Sequence, residues 1–278
     1  MNKAEARHRF AEMVTRPEDR LELDRAALLI AAEEYPYLEI ERYLAQLDRM
    51  ADELRRLQPA QSDPLIRLLA INDYLFTRLG FRGNAEDYYD ARNSFLNDVL
   101  DRRTGIPITL SVVYIELARR IGLPVSGVGM PGHFLVRYRE GGREVIIDPY
   151  HAGRVLSVER CQEMFEGMYG GTVDFQPGFL NDITRKQMLR RMLHNLKGIY
   201  ARVPDHHKAL SVIERLLILN PGDVSEIRDR GLICCALGRF SQALADLEYY
   251  LRRVPQCEDA DEIREKLTEL RRRQARLN

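Results

Sequence analysis

Two adjacent glycines, Gly141-Gly142, separate two runs of alternating or β-branched residues, His133–Arg139 and Glu144–Asp148. Glycine reaches positive φ at little steric cost, so this pair between two such runs signals a tight hairpin. If the loop holds an even number of residues, Asp148 lies opposite Leu135, and His133 is two residues along on the same face. An odd loop would put Asp148 and His133 on opposite faces, because side chains alternate along a strand. Upstream, Leu110, Val113, Tyr114, Leu117 and Ile121 recur at helical spacing, and Gly122 and Pro124 close that helix. A further strand is expected over Val125–Met130. A helix followed by antiparallel strands makes this part α+β rather than a doubly wound sheet.

On both sides the pattern is helical. Ala26, Leu29, Ile30 and Glu33 begin one helix that stops near Tyr35-Pro36, and Ile40, Tyr43, Leu44, Leu47 and Met50 mark a second. Residues 58–64 form a breaker cluster, Asp63-Pro64 suits a helix start, and a third helix carries Leu65, Leu68, Leu69, Asn72 and Leu75 up to Gly80. Phe81–Asn84 and the stretch 87–90 are expected as loop. Behind residue 185, Tyr200, Ala209, Leu210, Ile213, Leu217 and Pro221 recur 34 residues later as Cys234, Ala243, Leu244, Leu247, Leu251 and Pro255. That period resembles the tetratricopeptide repeat, with close helix packing at the alanine and termination at the proline. Gly238 sits in the bend of the second unit, where the first has Pro204. The charged stretch 258–276 carries Ile263, Leu267 and Leu270 and is expected as a capping helix. These readings divide the chain into 1–180 and 185–278, with a boundary around 176–186.

Lys plus Arg and Asp plus Glu both number 42, so the net charge is zero and bulk nucleic acid is not the expected partner. The longest apolar run, Ala26–Ala32, is far shorter than a membrane span, and the first residues lack a signal-peptide core. Four cysteines, two of them adjacent, suggest neither a disulfide framework nor a zinc site. The expectation is a soluble, reduced, cytoplasmic protein. No Cys-x-x-Cys, His-Glu-x-x-His, Gly-x-Ser-x-Gly or phosphate-cradling loop occurs, so no metal or cofactor is expected.

The residues with chemical potential are His133 and Asp148. A carboxylate on the same sheet face can hold an imidazole in one tautomer, as a general base needs; a satisfied structural histidine is the plainer alternative. Thr109 and Ser111 suit a helix start as capping or first-turn residues. Asp101-Arg102-Arg103 reads as a solvated charge run or an anion contact, and Tyr88 and Tyr89 as loop anchors. His206-His207 falls at a helix bend, and Cys161 lies in a helical stretch.

The pattern Gly105-Ile106-Pro107, Gly122-Leu123-Pro124, His133 and Asp148-Pro149 resembles the transglutaminase-like, papain-like cysteine-peptidase core. In that family a nucleophilic Cys begins the helix, a His follows on a strand, and an Asp on the next. Here the Cys position, fifteen residues before Gly122, holds Pro107. The segments 81–84 (FRGN), 93–124, 129–138 (GMPGHFLVRY) and 146–157 (IIDPYHAGRVLS), with the repeat tail, resemble bacterial transglutaminase-like proteins of the invasion-regulator type. A eukaryotic F-box protein carries a similar core. The resemblance implies a transglutaminase-like core with antiparallel strands and N-terminal helices, followed by an all-α tetratricopeptide segment. It also implies a remnant dyad, His133 and Asp148, and a candidate binding set of Pro107, Thr109, Ser111, Asn97, Arg102, Arg103 and Tyr150. A helix-start thiol attacks as thiolate, and a pyrrolidine ring offers no nucleophile. The expected function is therefore a non-catalytic protein- or peptide-binding regulatory module, with no membrane and no direct nucleic-acid partner. The alternative is a cysteine-independent hydrolase or acyl transferase using His133 and Asp148.

Overall fold

A computed structural model describes residues 1–57, 63–203 and 205–275. Helices α1 (Lys3–Thr15), α2 (Leu23–Ala32), α3 (Ile40–Leu57) and α4 (Pro64–Asn72) come first, followed by the two-residue strand β1 (Arg82–Gly83). Next come α5 (Leu96–Arg102), β2 (Thr104–Gly105), α6 (Pro107–Arg120), β3 (Val125–Val128), β4 (Leu135–Glu140), β5 (Arg143–Asp148), β6 (Arg154–Leu156), α7 (Val158–Tyr169) and β7 (Asp182–Ile183). Helices α8 (Arg185–Arg202), α9 (His206–Leu219), α10 (Val224–Ala236), α11 (Phe240–Arg253) and α12 (Ala260–Ala275) complete the chain. It divides into two compact units, Met1–Met192 and Leu193–Asn278, with the division inside α8. No helix of the described residues is long and apolar enough to cross a membrane.

The first unit is built on α6. Every residue from Pro107 to Ala118 is buried, and the helix packs against α2, α3, α4, α5, β3 and β4. Its buried Glu116 accepts hydrogen bonds from Arg119 (2.7 Å) and Arg120 (2.6 Å), and Arg120 also reaches Asp24 of α2 (2.6 Å). Paired this way, the buried carboxylates avoid the cost of an isolated interior charge. Part of the breaker cluster, 58–62, lies outside the described residues; Asp63 caps α4 by accepting the Leu65 N–H, ahead of Pro64.

Beside α6 stands an antiparallel five-stranded sheet of order β6-β5-β4-β3-β7. The β4–β5 hairpin closes through Gly141 (φ 60°) and Gly142 (φ 77°), the two positive φ values of a type I′ turn. Its register pairs Val136 with Ile147 and Glu140 with Arg143, so the loop is even. Val128, Leu135, Ile146 and Leu156 share a core cluster with Cys161 and Phe165 of α7. Alternation sends Val136, Tyr138 and Ile147 to the opposite face, where they are also buried. The expected loop at 81–84 instead contains β1, which pairs in parallel with β2. The stretch 176–186 includes β7, which pairs with β3.

In the second unit α10 packs closely on α11, α9 on α10, and α12 on α11. Leu210, Cys234, Ala243, Leu247, Tyr250, Ile263, Leu267 and Leu270 form one cluster. Ala209 and Ala243 are buried, and a Cβ on Gly231 would come within 2.9 Å of Leu247, which marks the close α10–α11 approach. Gly238 bends the chain with φ 71°; Pro204 lies outside the described residues, as does residue 276 at the end of the cap. Replacing Ala243 by Leu is expected to cost ~1–3 kcal/mol through overpacking, read as a lowered denaturation midpoint. An unchanged midpoint would count against this packing.

Candidate active site

Pro131-Gly132 turns the chain into β4, with Gly132 at φ 77° and the His133 N–H donating to the Met130 carbonyl (3.1 Å). This is the geometry for which a type II turn selects Pro then Gly. His133 stands two residues before β4, not within it as the sequence pattern suggests. Its carbonyl accepts a hydrogen bond from Arg191 Nη2 (2.9 Å), whose guanidinium lies 5.7 Å from the Phe134 ring.

Asp148 ends β5, and its carboxylate serves four donors. Oδ1 accepts the Tyr150 N–H (3.0 Å) and the His151 N–H (3.2 Å), capping the tight turn Pro149–His151. Oδ2 accepts from His133 Nε2 (2.9 Å) and from His151 Nδ1 (2.7 Å). With the His133 proton on Nε2, Nδ1 keeps the lone pair and is the basic nitrogen. Burial opposes the charge on Asp148, but the hydrogen bonds and fields of His133 and His151 outweigh it and hold the carboxyl below the usual aspartate range. Asp148 is 1% exposed and His133 7%, whereas the His151 side chain is 54% exposed, so His151 is the member that meets solvent.

Tyr150 packs edge-on against both imidazoles, with ring centroids 5.9 Å from His133 and 5.1 Å from His151, and Tyr88 stands 6.4 Å from Tyr150. The Tyr150 ring lies on Gly83: a Cβ there would sit 2.5 Å from it, which explains the glycine in FRGN. Beside Asp148 and His151 opens a cavity of about 290 Å³, also lined by Arg154, Arg160 and Glu163.

The remaining sequence candidates occupy distinct settings. Pro107 is buried at the first position of α6, the helix that packs on the 149–151 turn. Thr109 Oγ1 accepts the Ile106 N–H (3.1 Å) and donates to the Asn93 carbonyl (2.7 Å), a capping arrangement. Ser111 Oγ and Asn97 Oδ1 are buried without a hydrogen bond among the described residues. Arg102 pairs with Asp90 (3.3 Å), and Arg103 ends α5 at φ 54° and donates to the Leu79 carbonyl (2.8 Å). Of this set Tyr150 makes a ring contact with His133. Cys161 is fully buried in the α7 cluster; burial, with the Asp148 charge adding to it, pushes its thiol up to about 11. His151 was not singled out by sequence; the available signal was its place three residues after Asp148.

Residues 41–194 match the family model of the transglutaminase-like superfamily, and residues 196–268 match a tetratricopeptide-repeat model. The chain belongs to the transglutaminase-like superfamily. Within it, the chain is 38% identical over 261 residues to a "UPF0162 protein" of Xylella fastidiosa (strain Temecula1), covering 93% of both chains. It is 29% identical to a "UPF0162 protein" of Vibrio cholerae, covering 85% of this chain and 88% of that one. The similarity to mouse "F-box only protein 21" is 35% over 146 residues, 48% of this chain and 22% of that protein.

Two outcomes follow for this superfamily core. Gly83→Ala is expected to displace the Tyr150 ring and lower stability by ~1–3 kcal/mol, measured by chemical denaturation; an unaltered midpoint would contradict the contact. Asp148 ionises more readily in the folded chain than in the unfolded one. Its stabilising contribution is therefore present above the ordinary aspartate value of ~3.9 and is lost as pH falls through the lower folded value. Asp148→Asn is expected to cost ~1.5–3 kcal/mol near neutral pH, with the gap to wild type narrowing below pH ~4. A gap independent of pH in acid would contradict this.

Proposed function

We propose that the protein is a non-catalytic transglutaminase-like module that acts in the cytoplasm as a regulator by binding a protein or peptide partner. Pro107 carries this reading. At the start of α6, the position corresponding to the superfamily's nucleophile, there is a ring that neither ionises nor attacks. Cys161 does not replace it, because its thiol is enclosed in the α7 core. Tetratricopeptide repeats generally mediate protein–protein interaction, and this supports a binding role for the second unit.

The His133–Asp148 hydrogen bond favours a second reading, a cysteine-independent hydrolase or acyl transferase. His133 Nδ1 would then act as general base toward water or a substrate hydroxyl.

Assays of amine incorporation and peptide cleavage separate the two. No turnover sensitive to thiol alkylation is expected, and a lysate partner retained by wild type is expected to be lost or weakened by His133→Ala or by changes on the tetratricopeptide helices. Turnover abolished by alkylation and by Cys161→Ala would overturn the non-catalytic reading. Turnover that survives both but is lost in His133→Ala would establish the second.

A further inference from the structure

The exposed His151 gives the dyad a third member with different chemistry. One ligand atom from each of His133, Asp148 and His151 lies within 4.8 Å of the other two. We propose that His133, Asp148 and His151 bind one divalent transition-metal ion of the zinc type. This goes beyond the binding reading above, which rests on Pro107 and stands or falls separately.

The donor set comes first. Two neutral imidazoles and one carboxylate suit Zn²⁺ and its borderline neighbours, whereas Ca²⁺ and Mg²⁺ prefer oxygen throughout. Geometry comes second. Ligand atoms ~2.0–2.2 Å from a tetrahedral ion stand roughly 3.3 Å apart. Asp148 Oδ2 is now 2.9 Å from His133 Nε2 and 2.7 Å from His151 Nδ1. The ligands need to open by roughly half an ångström to meet that spacing, and the His151 side chain has solvent on one side to give it room.

Each histidine would ligate as the neutral ring, with its proton on the nitrogen that faces away from the ion, His133 on Nδ1 and His151 on Nε2, beside the ionised carboxylate.

The surroundings hold the ligands in place. Asp148 Oδ1 is fixed by two backbone N–H groups, the His133 carbonyl by Arg191, and the Tyr150 ring packs edge-on against both imidazoles. Such outer contacts orient metal ligands. Three protein ligands leave a coordination position open, and the cavity of about 290 Å³ beside Asp148 and His151 gives room for water there. The sequence reading expects no metal because the ligands match no spacing motif. The hairpin brings His133 to Asp148, and the turn after β5 brings His151.

The test uses the full chain, stripped with a chelator and dialysed. Zn²⁺ is titrated in competition with a chromophoric chelator, and Co²⁺ is added in parallel for its visible d–d bands. One equivalent per chain is expected, with Co²⁺ bands of a four- or five-coordinate site. His151→Ala, folded by circular dichroism, is expected to weaken binding by at least ~100-fold, beyond the ~10–100-fold usual for outer-sphere changes. The double variant His206→Ala, His207→Ala is expected to bind as wild type. Absence of an equivalent at micromolar Zn²⁺, binding unchanged in His151→Ala, or binding lost only in the His206/His207 variant would each overturn the proposal.

Discussion

The first unit depends on a helix that is buried on every side from its first residue to its last turn. Burial of α6 from Pro107 to Ala118 forces its surroundings to supply apolar contacts on all sides, which four helices and two strands do. Interiors packed at this density transmit displacement rather than absorb it. The one acidic residue on the buried stretch, Glu116, is tolerated because Arg119 and Arg120 reach it and Arg120 ties it to Asp24 on α2. With α6 fixed, so are the place of Pro107 at its start and the turn 149–151 packed on its side.

That turn is organised by a single carboxylate. Asp148 is deeply buried, and an ionised group there is stable only when its acceptor sites are filled. Two backbone N–H groups fill one oxygen and two imidazoles the other. Charge-assisted bonds of this kind are roughly twice as strong as neutral ones. They link residues from the Pro131-Gly132 turn, the end of β5 and the turn beyond it.

The register of the hairpin was legible because Gly141-Gly142 leaves few turn geometries open, and strand alternation carries the parity from the turn to His133 and Asp148. The helical repeat was legible because its period repeats small and terminating residues at fixed spacing. Other features leave weaker marks. Strands β1 and β2 have two residues each, and the partners Gly83 and Gly105 are far apart in sequence, so no local periodicity announces them. Strand β7 is equally short and joins the sheet beside β3 from across the whole hairpin and α7. His151 escaped notice because it falls in no motif; its role depends on how tightly Asp148 folds the three residues after it.

The His133–Asp148 pair has a physical explanation independent of catalysis. Asp148 caps the turn after β5 through Oδ1 whatever its other oxygen does, and removing it strips partners from two backbone groups and two rings. His133 is similarly tied by its backbone N–H to Met130 and by its carbonyl to Arg191. Both residues carry structural weight. The dyad alone is therefore weak support for an enzyme. His151 differs from the other two. More than half of its side chain faces solvent, so of the three it is the one that meets something arriving from outside.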